Sequence, residues 1–485
     1  MTGGGSATRK WELDKMKMQL AEIAHAVGAI NDYEQWASVN VTSVAFDSRH
    51  LQPGGLFIPL TGEQDGHQFI QSAIDHGAAA TLWAQDLAKA PADFPVIQVE
   101  NSLTALQTLA RYYLTKINPR VVAITGSNGK TTTKDMIAAL LSTQFNVTKT
   151  YANFNNEIGV PMTVLSMEPN TEMLVVEMGM DRPGQLDFLS KLVTPDVAVI
   201  TMIGEAHIEF FGTRDKIADA KFEITHGLSD DGFFVYDGDE PLLCQRVADL
   251  DQQQVTFGRN ETDDLYATEV TDTPTSTSFT TNKWPEVRFT VPMIGDYNVN
   301  NALAALAVAD LYRIRPENAQ TALQTVPLTK NRAEWLTGAQ GESLLSDVYN
   351  SNPTAVREVL HAFGQTPVKG RRLVVLGDML ELGDQSAELH AGLASALDPT
   401  KFAHVYLVGP QMKALQAALA AEAPELPVTH FDSADLAGVT TALQETVTAD
   451  DQILLKGSHG IHLENVLAQL LPTEKNENSL NVSNF

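Results

Sequence analysis

Cysteine is nearly missing from this chain: Cys244 is alone among 485 residues. One thiol cannot close an internal disulfide, so a framework of the secreted kind is excluded and a reducing, cytoplasmic setting is expected. Positive charge is also scarce. Lys and Arg number 33 against 60 Asp and Glu, a formal net charge of −27. A field of that sign repels nucleic acid and anionic lipid, so neither is an expected partner. It also requires any polyanionic substrate to be held by local cations or metal. No run of about eighteen apolar residues occurs, which excludes a membrane-inserted helix. The start, MTGGGSATRKWELDKMKM, has no long apolar stretch behind its basic residues and does not read as a signal peptide. Residues 1–17 are expected to be a tail or an appended extension, with Met16 or Met18 as candidate starts.

The length suggests about three domains. Residues 18–117 mix short helices and strands, punctuated by Pro53, Gly54, Gly55, Gly62 and Gly66. From Arg120 the pattern becomes α/β. RVVAITG, EMLVVEMG and DVAVITMIG read as buried strands and TKDMIAALLST as a helix, which predicts a parallel, doubly wound sheet over 118–328. A Thr-rich β stretch covers about 255–293, and NNALAALAVADLY follows as a helix. A third α/β unit, 329–472, carries the strands RRLVVLG, HVYLVG and DQILLKG. The polar end, 473–485, is expected to be disordered.

Chemistry concentrates at VVAITGSNGKTTTKDM. A strand, a Gly-bearing loop and a helix in that order aim backbone N–H groups and the helix dipole at an anion. Gly126 and Gly129 allow close approach, Lys130 would reach the β/γ-phosphates, and Thr131 is the hydroxyl at the Mg²⁺ position. The bland alternative is a surface turn of small polar residues. The spacing is compressed, since the usual P-loop has Gly where Ile124 stands. Glu177 ends an apolar strand, at the edge where such sheets bind ligands, and its carboxylate suits Mg²⁺. VITMIGEAHIEFFGT brings Glu205, His207 and Glu209 to a second strand end. An isolated His is more often structural than a ligand. Lys221, among acidic and apolar neighbours, would ordinarily be a solvated lysine.

TGSNGKTTT, NFNNEIGVP, VVEMG, EAHIEFFG and ADAKFEI, in that order, resemble the Mur ligases of peptidoglycan synthesis, relatives of the folylpolyglutamate synthases. The resemblance spans about Met18 to Leu471, and the compressed loop is a mark of that family. It implies three domains: an N-terminal uridine-binding α/β domain, a central doubly wound P-loop ATPase domain and a C-terminal Rossmann-like α/β domain. VAFDSRHLQPGG, SDVYNSNPTAV, VVLGDMLELGDQSAELH and LLKGSHGIHLENVL resemble the branch that adds the last dipeptide. The segment expected of the enzyme adding the third residue is not seen.

The implied activity is ATP-dependent joining of D-alanyl-D-alanine to UDP-N-acetylmuramoyl-tripeptide, through an acyl phosphate and a tetrahedral intermediate, in a cytoplasmic monomer. Two Mg²⁺ sites are implied. By resemblance, Ser127, Asn128, Gly129, Lys130, Thr131 and Thr132 belong with Gly126 to the ATP site. Thr131, Glu177 and His207 ligate metal, and Lys221 is the lysine carbamylated by CO₂. Asn298 and Asn301 lie on the adenine side, Asp347 near the ribose, and Arg332 reaches the γ-phosphate from the third domain. Lys130, His207, Lys221 and Arg332 are the implied catalytic set. Ser48 and Arg49 lie on the uridine-diphosphate side, and Asn155, Asn156, Tyr349, Asn350 and Asn352 near the rest of the substrate. Two positions depart from the family pattern: Tyr297 stands for His in G-x-H-N-V, and His459 for Arg in K-G-S-R-G. The rival functions are an amide ligase for another amine, a P-loop ATPase that drives motion, and a non-catalytic nucleotide-binding scaffold.

Overall fold

The computed structural model describes residues 16–327 and 329–472. The expected extension up to residue 15 and the expected tail 473–485 lie outside the described residues. Met16 falls within the expected extension, yet it is 0% exposed in the core, and Met18 pairs with Val41 in a short antiparallel ladder. The packed chain therefore starts before residue 18.

The N-terminal unit is a four-stranded parallel sheet, in the order Ser43–Ala45, Gly55–Phe57, Ala80–Trp83, Val96–Gln98. Helix Ser102–Ile117 leads out of it. Asn101 caps that helix by accepting the Thr104 N–H, and Asn118 ends it in the left-handed region at φ +55°. Tyr113 Oη crosses to the central unit and donates to the Met167 carbonyl at 2.8 Å.

The central sheet has nine strands. Arg120–Thr125 lies between Met173–Glu177 and Val197–Ile200, parallel to both. Val121, Val122, Ala123 and Ile124 are all buried, because helices cover both faces of a parallel sheet. Each such Val or Ile contributes roughly 1.5–3 kcal/mol when fully buried. Helix Asp296–Leu311 is apolar nearly all round and is accordingly an internal helix, packed against the P-loop helix Lys130–Leu141. The Thr-rich stretch forms antiparallel strands that extend the same sheet, with hydroxyl pairs Thr268–Thr280 and Ser278–Thr290 across them.

The third sheet has six strands. Glu334–Thr337 is an antiparallel edge, followed by Ser343–Asp347, Gln452–Lys456, Arg372–Gly377, His404–Val408 and Val428–Phe431, all parallel. The three apolar runs expected as strands are its centre; the three flanking strands lie outside that expectation. Among the described residues, no helix is long and apolar enough to cross a membrane.

Candidate active site

The P-loop follows strand Arg120–Thr125, third from one edge of the central sheet, at the C-terminal ends of its parallel strands, where such sheets bind ligands. Two glycines are obligatory there. Gly126 has φ +155°, and a Cβ on it would lie 1.9 Å from Thr201 Oγ1. Gly129, at φ +81°, starts helix Lys130–Leu141, and its Cβ would meet Asn301 Oδ1 at 2.2 Å. No side chain caps this helix, so its first N–H groups are left for an anion.

A cleft of about 600 Å³ opens above the loop, lined by both the central and third domains. Lys130 curls back, its Nζ donating to the Gly126 carbonyl at 2.8 Å. Desolvation pulls its ammonium down to about 8; Arg332 acts in the same direction and Glu177 opposes it. Arg332 enters from the third domain with its guanidinium 4.1 Å from the Tyr349 ring centre and its Nε buried without a partner. Asn331 and Ala333 on either side both have positive φ, +60° and +51°. Their backbone is strained where it aims this arginine. His459 stacks on Tyr349 at 6.0 Å, so imidazole fills an aromatic position where the family pattern has arginine.

Glu177 is 2% exposed. Its Oε1 accepts from Asn155 Nδ2 at 2.9 Å, and its Oε2 has no hydrogen-bond partner, although buried Lys134 stands 3.9 Å away. An orphaned carboxylate oxygen beside an anion cradle is what a Mg²⁺ bound with nucleotide phosphates would use. Among the described residues, no three His, Cys, Asp or Glu side chains come together to hold a metal by themselves. Phosphate oxygens and the Thr131 hydroxyl would have to complete the shell. His207, at φ +66°, lines the cleft, and its Nδ1 is 2.5 Å from Glu381 Oε2, off the line of a hydrogen bond. Its sequence neighbours do other work. Glu205 accepts from the Thr354 hydroxyl and N–H at the start of helix Pro353–Gln365, and the Glu209 N–H donates to the Glu381 carbonyl.

Lys221 does not line the cleft. It is 2% exposed, and burial together with the nearby Lys130 holds its amine well below the usual lysine range. Asp347 lines the cleft and accepts from buried Lys456 at 2.6 Å; Lys456 also donates to the Asn350 carbonyl.

Several residues predicted to touch ligand already make hydrogen bonds or ion pairs within the protein. Asn298 and Asn301 reach the cleft wall, but their amides bond to Ile294, to each other and to Thr133, fixing the internal helix to the P-loop helix. Asn352, expected at the substrate, is 1% exposed. It caps helix Pro353–Gln365 and exchanges two hydrogen bonds with Asn128, at 2.7 and 3.2 Å, clasping the third domain to the P-loop. Asn156 accepts two N–H groups of its own turn. Ser48 and Arg49 lie on the N-terminal domain, outside the cleft, where Arg49 is paired with Asp47 at 2.6 Å. Ser127, Thr132, Tyr297, Tyr349 and Asn350 do line it. Glu381 and Lys456 were missed, although both stand in quoted motifs; nothing in the sequence set them apart from other charged strand ends.

Fold and site together define an ATP-dependent ligase, with a P-loop cradle, a buried carboxylate for metal and a cation delivered by a separate domain. The chain belongs to the Mur ligase family. It matches the Mur ligase family catalytic domain over residues 40–114, the Mur ligase middle domain over 124–309 and the Mur ligase glutamate ligase domain over 331–459. It is 40% identical to the UDP-N-acetylmuramoyl-tripeptide–D-alanyl-D-alanine ligase of Bacillus subtilis, over 93% of this chain and 97% of that one. Among solved structures it resembles MurF from Acinetobacter baumannii, with a TM-score of 0.83 and 29% identity over 94% and 99% of the two chains. It also resembles the MurF ligase from Thermotoga maritima in complex with ADP, with a TM-score of 0.75 and 28% identity over 90% and 97%.

Proposed function

We propose that this chain joins D-alanyl-D-alanine to the free carboxylate of UDP-N-acetylmuramoyl-tripeptide, using ATP, to form the pentapeptide precursor of peptidoglycan. The observation that carries this is one cleft in which Lys130, Arg332 and the unsatisfied Glu177 oxygen converge from two domains. The names of the relatives supply the substrates.

A carboxylate is a poor electrophile, so the γ-phosphoryl group is first transferred to it. Lys130 and Arg332 neutralise charge on the group in transit, and the P-loop N–H groups hold the departing ADP. The neutral dipeptide amine then attacks the carbonyl carbon of the acyl phosphate, and the adduct loses a proton to solvent. The tetrahedral intermediate expels phosphate, leaving the amide. Thr131, Glu177 and His207 would hold a divalent cation, which would supply further charge neutralisation on the phosphates. Lys221 is suited to carbamylation: its neutral amine adds to CO₂ and releases a proton, converting a would-be cation beside Lys130 into an anion. Ser48 and Arg49 take the uridine-diphosphate end on the N-terminal domain, Asn155 and Asn156 lie toward the peptide, and Asn298, Asn301 and Asp347 toward the nucleoside of ATP. Dependence on ATP and a nucleotide-activated substrate sets the reaction in the cytoplasm, and a monomer carries all of these parts.

The test is a coupled ADP-release assay with UDP-muramoyl-tripeptide, D-alanyl-D-alanine, Mg²⁺ and ATP, each omitted in turn. ADP release should require all four. Release that is independent of the dipeptide would sink the ligase assignment, and a preference for another amine would reassign it.

A further inference from the structure

His207 and Glu381 meet across the boundary between the central and third domains. His207 precedes the short helix Ile208–Phe211 at φ +66°, and Glu381 sits in the loop after strand Arg372–Gly377 at φ +61°. Left-handed backbone at residues such as these costs on the order of 1 kcal/mol or more, and it persists only where the surroundings hold it. Here they do. The Glu209 N–H donates to the Glu381 carbonyl at 3.0 Å, and Gln385 Nε2 donates to the Gly212 carbonyl at 3.0 Å. The two loops are thus docked by one backbone–backbone and one side-chain–backbone hydrogen bond. Underneath, the fully buried His390 accepts the Met379 N–H on Nε2, and its Nδ1 lies 2.7 Å from the Ser386 carbonyl. Two strained residues are held face to face, with Nδ1 of His207 2.5 Å from Glu381 Oε2 and both side chains on the cleft.

We propose that Glu381 is a positioning residue for the cation site. Its carboxylate and His207 are in ion-pair contact without hydrogen-bond alignment; a small turn of the ring lets the carboxylate take the Nδ1–H of His207, fix the tautomer and leave the Nε2 lone pair for a divalent cation. Histidines that bind metal commonly give their other ring nitrogen to a carboxylate or carbonyl, and loss of that partner weakens metal affinity roughly 10–100-fold. The inference rests on His207 being a metal ligand. It adds that the orienting group comes from the same domain that brings Arg332. The cation site and the phosphate-facing arginine are therefore completed by one docking event.

The test is a Mn²⁺ titration of the full chain with a non-hydrolysable ATP analogue, following the EPR signal of free Mn²⁺. Wild type, His207→Ala, Glu381→Ala and Glu381→Gln are compared, with thermal melts run in parallel. His207→Ala should lose one class of bound Mn²⁺. Glu381→Ala should weaken that same class by about tenfold or more, and Glu381→Gln, whose amide oxygen still accepts from Nδ1–H, should stay within about threefold of wild type. Glu381→Ala within about twofold of wild type, while His207→Ala loses the class, would overturn the positioning role and leave the ligand assignment standing. Equal losses in the Ala and Gln variants would also overturn it, because a disrupted loop and not the accepting oxygen would then be the cause. His207→Ala retaining all bound Mn²⁺ would remove His207 as a ligand, and the role of Glu381 with it.

Discussion

Removing the central cation of the site should make the ligand-free protein more stable. Burial lowers Lys130 from 10.5 to about 8. At 1.36 kcal/mol per pH unit, keeping it charged at pH 7 without an anion costs about 3 kcal/mol. The unfolded lysine keeps its proton up to about 10.5, and the folded one releases it near 8. Between those values the unfolded chain binds more protons, so the stability of the wild type rises with pH. Lys130→Met keeps the length of the side chain and discards the charge. It also orphans the Gly126 carbonyl, which accepts from Nζ at 2.8 Å; that loss is worth about 1 kcal/mol. Ligand-free Lys130→Met should therefore exceed the wild type by about 2 kcal/mol at pH 7, and the gap should shrink to about zero near pH 9.5. Urea unfolding of both proteins at the two pH values measures this. ATP should reverse the order at pH 7, because the wild type gains more from the phosphates than a variant left with Arg332 and the loop N–H groups. A wild type more stable than the variant at pH 7 without nucleotide, or a gap unchanged by pH, would refute the claim that burial of this ammonium is what the phosphates relieve.

Lys221→Ala should abolish ligation, and added short-chain carboxylic acids should restore part of it by occupying the vacated space; full activity in the variant would remove the carbamate from the mechanism. Asn352→Ala deletes a helix cap and both bonds to Asn128. It should cost about 1–2 kcal/mol in urea unfolding and raise the KM for ATP. An unchanged KM would mean that the clasp does not hold the P-loop in its binding form.

The strands and the phosphate loop were readable because their signals are local. A β-branched run, then Gly-x-x-Gly-Lys, then helix formers can be recognised from neighbours within a turn or two, and Glu177 is readable from the strand it ends. The short edges Glu334–Thr337 and Val428–Phe431 are partly exposed and carry no such run, so only their pairing reveals them. Asn128 and Asn352 are expected at ligands through the family motifs they stand in, and the structure also bonds them to each other. Their mutual bonding spans 224 positions and has no local trace.

By itself, then, the sequence determined the chemistry available: a cradle for phosphate, one carboxylate for a metal, a lysine and an arginine to meet a transferring group, and a net charge that makes those local cations necessary. The tertiary structure decided which groups remain free to use that chemistry. It left Glu177 Oε2 unsatisfied, spent the amides of Asn298, Asn301 and Asn352 on the scaffold, stripped water from Lys130 and Lys221, and set Glu381 against His207. Burial and partner choice depend on segments brought together from distant parts of the chain, and no local pattern records them.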